Sequence, residues 1–80
     1  MQRREIRTIT GDELRDPEFD RSSLLGECVT ITITDAVREQ RIFYTGHVER
    51  FEGDDYECIV LDGIGAIHHV LLEAISELEV

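Results

Sequence analysis

Five side chains in this 80-residue chain carry soft, chemically versatile atoms: Cys28, Cys58, His47, His68 and His69. Sets of this kind hold zinc, and a cysteine beside a histidine can serve as a thiolate nucleophile. The spacing supports neither use. No two of the five stand at a recognised ligand spacing, and there is no C-x-x-C. His68 and His69 are adjacent, so on a strand they point to opposite faces and only one can join a given cluster. Cys28 and His47 can become cross-strand neighbours, but nothing in the sequence orients them as a nucleophile and its base. The expectation is therefore a protein that is not an enzyme and has no metal or cofactor. Its cysteines are read as small hydrophobes.

The remaining chemistry is acidic. Carboxylates fall at Asp12-Glu13, at Asp16 and Glu18, from Glu52 to Glu57, and at Glu73, Glu77 and Glu79. In the densest group, Glu52, Asp54, Asp55 and Glu57 surround Tyr56. An aromatic face can stack a nucleic-acid base without sequence preference, so Tyr56 is a candidate stacking residue. The four carboxylates around it repel phosphate and form a candidate acidic interaction surface instead. The bland alternative is an ordinary solvated surface.

The whole chain shares this bias. Its formal net charge is −10, and all eight basic residues are arginine. Acid excess without lysine fits adaptation to concentrated salt or a GC-rich genome, and it also fits a negative face presented to a basic partner. The reading of salt or GC-rich adaptation is preferred as the plainer one, since net charge alone rarely marks a function. Either way, binding a nucleic-acid backbone through bulk charge is disfavoured. Hydrophobic residues make up 41% of the chain and charged residues 32%, which is globular rather than disordered. Eighty residues suffice for one domain with a small core. The apolar runs are too short to span a bilayer and no signal peptide is evident, so a soluble cytoplasmic protein is expected.

The elements that must position these residues read as follows. Residues 1–15 form an N-terminal extension, in which Arg4 to Ile9 either pairs as an edge strand or frays. Thr10-Gly11-Asp12-Glu13 has the form of a capping box, but Pro17 lies soon after it. The helix is therefore placed over 16–26, with Asp16 as N-cap, Pro17 in the first helical position and Gly26 as the C-cap glycine. Val29, Ile31 and Ile33 alternate with Thr30, Thr32 and Thr34, the clearest strand period in the chain. Asp35 to Gln40 is a hairpin loop. Arg41 to Phe51 is a long second strand, where Gly46 suggests a bulge or bend. Tyr56–Asp62 and Ala66–Leu72 follow as strands, then a helical turn at Leu72-Glu73-Ala74 and a last strand over Ser76–Val80. Five short strands with turns between them predict a mainly β, closed or nearly closed barrel over 27–80.

This order resembles the Sm-like family of small β-barrels. Leu25-Gly26 with Val29, Ile31 and Ile33 matches the family's helix-to-strand entry. Gly46-His47-Val48 and Phe51-Glu52 resemble the pattern of its second strand, and Leu61-Asp62 the end of its third. Val70, Leu72, Ile75 and Leu78 resemble the apolar spacing of the last two. The likeness covers residues 17–80 and is shared in large part with SH3-like barrels. It implies a five-stranded barrel with a short N-terminal helix. It also implies rings in which the fourth strand of one subunit lies beside the fifth of the next. The amide and guanidinium pairs that grip RNA in the family are missing, since the equivalent stretches read Gly53-Asp54-Asp55-Tyr56-Glu57 and Leu72-Glu73-Ala74. RNA is thus possible as a partner but disfavoured. Small acidic Sm-fold inhibitors of the Rho terminator make an acidic nucleic-acid mimic the alternative. The leading expectation is a non-enzymatic module that binds a protein partner or itself. Its candidate assembly edge is the fourth strand, at Ile67, His69 and Leu71, unless the segment near Glu5–Ile9 covers that edge.

Overall fold

Alternation in the threonine-rich segment decides the centre of the molecule. In the computed structural model, which describes residues 6–54 and 56–80, Cys28–Asp35 is strand β2. Its Val29 and Ile31 side chains are buried. An antiparallel hairpin joins it to β3, Gln40–Glu52, with Val29 opposite Gly46 and Ile33 opposite Ile42. β4 (Glu57–Leu61) and β5 (Ile67–Leu71) follow as successive antiparallel neighbours. A 3₁₀ turn at Leu72–Ala74 leads into β6 (Ile75–Glu79), which returns to pair with β2. The five expected strands are all present, and a sixth joins them. β1 (Thr8–Thr10) pairs with the outer edge of β6, with Ile9 opposite Leu78. The sheet order is β1-β6-β2-β3-β4-β5.

The mainly β class holds, but the sheet is open rather than closed into a barrel. β1 takes the free edge of β6, leaving β1 and β5 as the two outer strands. Register shifts between Thr32 and Ile33 and between Val48 and Arg50 curl the sheet, because an extra residue bends the strand that carries it. The core lies inside the curl and includes Leu24, Val29, Ile31, Val48, Val60 and Leu78. Ile9 and Leu14, from the stretch read as an extension, are part of it. The bend in β3 falls near Glu49 and not at Gly46, whose pairing with β2 is regular. Gly46 serves a close approach instead. A Cβ there would lie 2.4 Å from the carbonyl oxygen of Leu61.

The helix is displaced from its expected place. α1 covers Gly11–Arg15, and no helix spans 16–26. Thr10 caps α1, its hydroxyl accepting the N–H of Glu13 at 3.1 Å. Asp16 is extended, as a residue before proline tends to be, so Pro17 ends this helix instead of starting the next. Asp16 Oδ1 accepts the N–H of Glu18, and Asp20 caps a short 3₁₀ turn over Arg21–Leu24. Gly26 follows that turn with φ of +79°, a left-handed conformation that suits glycine.

Candidate functional site

The predicted acidic surface and the predicted assembly edge turn out to be neighbours. Glu52 ends β3 and Glu57 begins β4, and the two are direct cross-strand partners. On β5, His69 pairs with Ile59, two residues beyond Glu57 on the same face. His69 Nδ1 reaches Glu57 Oε2 at 3.1 Å, and the donor atoms of Glu52, Glu57 and His69 all lie within 4.8 Å of one another. Arg50 Nε donates to Glu52 Oε1 at 2.6 Å. Ile59, which pairs with both Arg50 and His69, is fully buried beside this group although it lies outside the main core cluster. Sequence reasoning matched the histidines to cysteines only. The pairing of His69 with carboxylates depends on strand register, which composition does not carry.

Ile67 is more than half exposed and Leu71 half-buried along the same strand. Among the described residues no strand pairs with the outer edge of β5. The segment proposed to cover that edge does not do so: Thr8–Thr10 pairs with β6 on the far side of the sheet, and Glu5 lies outside the described residues.

Tyr56 closes the β3–β4 connection. Its N–H donates to the carbonyls of Glu52 and Gly53, and its own carbonyl accepts the N–H of Leu72. The ring is half exposed, and its hydroxyl donates to Glu73 Oε1 at 3.3 Å. It borders a shallow cleft of about 310 Å³ that also touches Arg15, Arg21, Asp54 and Glu73. The two arginines were not anticipated at this place. Arg15 Nη1 donates to the carbonyls of Leu72 and Ile75 at 2.8 and 2.9 Å, and Arg21 Nη1 to those of Leu14 and Asp16. The Arg15 bonds fasten the N-terminal segment to the β5–β6 connection, and the Arg21 bonds brace that segment internally. Asp55 lies outside the described residues.

The other candidates disperse. Cys28 and His47 face each other in register across β2 and β3, both exposed, and among the described residues no hydrogen bond joins them. Cys58 is buried in the core, and burial pushes its thiol up to about 11, which disfavours the thiolate. His68 faces away from His69. Its Nε2 lies 2.8 Å from Asp62 Oδ2, and its ring sits 5.1 Å from that of Tyr44. Asp62 Oδ1 accepts the N–H groups of Ile64 and Ala66. The hydrogen bond from His68, with those from the backbone, holds the Asp62 carboxyl below its usual range.

No helix among the described residues is long and apolar enough to cross a membrane. Comparison of the chain with protein-family models, with curated proteins and with solved structures gave no match, so the functional reading stands on the geometry above.

Proposed function

We propose that this protein is a non-enzymatic binding module of the Sm-like or SH3-like kind, opened at one seam, and that it works by adding a strand to β5. The neighbour order β6-β2-β3-β4-β5 supports the architectural part of this reading. The observation that carries the functional part is the outer edge of β5, with which no strand pairs among the described residues. A five-residue strand with Ile67 exposed and neither proline nor lysine to blunt it is a template for another strand.

The occupant proposed is a second copy of the chain. In a molecule of net charge −10, like-charge repulsion opposes self-association nearly everywhere. The residues from Gly63 to Leu72 form the longest stretch without an acidic side chain, and β5 lies within it. A ring built by setting β5 against the next subunit's β6 would need β1 to leave, because β1 already occupies that edge. An antiparallel β5–β5 contact about a two-fold axis needs no such displacement, and self-complementary contacts of this kind are the commonest in homo-oligomers. Hydrogen exchange at low and high protein concentration tests the contact. Concentration-dependent protection confined to β5 amides is expected, and equal exchange at both concentrations contradicts the reading.

A second reading has one observation in its favour, the placement of Arg15 and Arg21 beside Tyr56. A tyrosine face next to guanidinium groups suits a single-stranded RNA base and its phosphate. It requires salt-sensitive affinity for an oligoribonucleotide that falls on Tyr56→Ala; affinity unchanged in that variant eliminates it.

A further inference from the structure

We propose that Glu52, Glu57 and His69 form a binding site for a first-row divalent transition ion. Two carboxylate oxygens and one imidazole nitrogen make a donor set that suits zinc, cobalt or manganese, with water in the open positions. The three residues sit on three consecutive strands, β3, β4 and β5, so the backbone fixes their spacing. Bonds of about 2.1 Å to such an ion place its ligand atoms roughly 3–3.5 Å apart. His69 Nδ1 and Glu57 Oε2 are already 3.1 Å apart, and all three donors lie within 4.8 Å. Small rotamer changes of surface side chains complete the approach.

Register gives a reason for a cation here. Like charges placed directly opposite across antiparallel strands repel, and Glu52 and Glu57 are such a pair. Among the described residues, the hydrogen bond from Arg50 goes to Oε1 of Glu52 and none is made to Oε2. The imidazole of His69 distinguishes the group from a merely acidic cluster, because it brings a nitrogen that transition ions prefer and calcium or magnesium do not. The buried side chain of Ile59 lies between Arg50 and His69 in the strand register, beside the group. A bound ion would tie the outer strand β5 to β3 and β4. The inference does not depend on β5 pairing with a second copy.

The test is a cobalt(II) titration of untagged protein, followed by calorimetry and by absorption. One ion per chain is expected, with no thiolate-to-cobalt charge-transfer band. Affinity should fall by about tenfold or more in His69→Gln and in Glu57→Gln. His47→Gln, which alters the histidine facing Cys28, should leave it unchanged. Binding that persists in His69→Gln, a thiolate band lost on His47→Gln, or no binding at millimolar cobalt would each overturn the proposal.

Discussion

His68 and Asp62 are held 2.8 Å apart across the turn between β4 and β5, and the same carboxylate also binds the backbone of that turn. One acidic side chain thereby fixes both the turn and the start of β5. The hydrogen bond from His68, helped by the N–H groups of Ala66 and Ile64, lowers the pKa of Asp62 in the folded state. A carboxylate with a depressed folded pKa adds stability that is present above its unfolded pKa and lost as pH falls through the folded value. The acid limb should therefore steepen below about pH 4. Urea unfolding at about pH 6 and about pH 3 should show a smaller loss of stability in Asp62→Asn than in the wild type. Equal losses would mean that this carboxylate does not drive the acid response.

Gly46 is fixed by the backbone of Leu61, not by its own dihedral angles. A Cβ would meet the Leu61 carbonyl oxygen at 2.4 Å, and backbone cannot yield as a flexible side chain does. Gly46→Ala should destabilise the fold by about 2–3 kcal/mol, read as a lower denaturant midpoint. An unchanged midpoint would show that β3 and β4 lie farther apart than described.

Arg15 joins the first helix to the connection between β5 and β6 through two backbone carbonyls. Arg15→Ala removes both bonds, and charge-assisted bonds of this kind contribute about 1.5–3 kcal/mol. With two such bonds on a side chain that is 35% exposed, a loss of about 3 kcal/mol, near the sum of the lower values, is expected by chemical denaturation. Thr10→Ala, which removes the cap from the same helix, should cost about 1 kcal/mol.

The two cysteines should separate by reactivity. Cys58 is buried and its thiol is pushed up to about 11, whereas Cys28 is exposed. A thiol reagent at about pH 8 should label one cysteine in the native protein, identified by mass spectrometry as Cys28, and both after unfolding. Rapid native labelling of Cys58 would contradict the packing of β4.

Most of the sheet was legible because its signals are local. Val29, Ile31 and Ile33 alternate with threonine, and the turns that separate the later strands are marked by Gly53, Gly63 and Gly65. The N-terminal part misled for an equally local reason. Two cap signals compete there, and the capping box at Thr10 prevails over Asp16-Pro17 because Leu14 reaches the core and Arg15 finds carbonyls on the far side of the chain. Those partners are 57 and 60 residues away, beyond any window of local pattern. The site shows the same division. The acidic run around Tyr56 is visible in the sequence, but its meeting with His69 follows from the pairing of β4 with β5. The sixth strand was the hardest to place, since three residues have too little pattern to reveal which edge they join.

Ile67→Lys places a charge on the open edge, the device by which many natural edge strands avoid pairing. The side chain is exposed, so the monomer fold should be retained, with unchanged unfolding at low protein concentration. Concentration-dependent association should disappear. Association that survives this variant would move the contact away from β5.

The central claim is self-pairing through β5, and the most direct measurement is the solution mass by light scattering after gel filtration, over a range of concentrations at low and high salt. The chain has a mass of 9.2 kDa. The account predicts a shift from this mass to twice this mass as concentration rises, more complete at high salt, where repulsion between acidic chains is screened. A mass fixed at that of the single chain, or a ring of six or seven subunits, would contradict it.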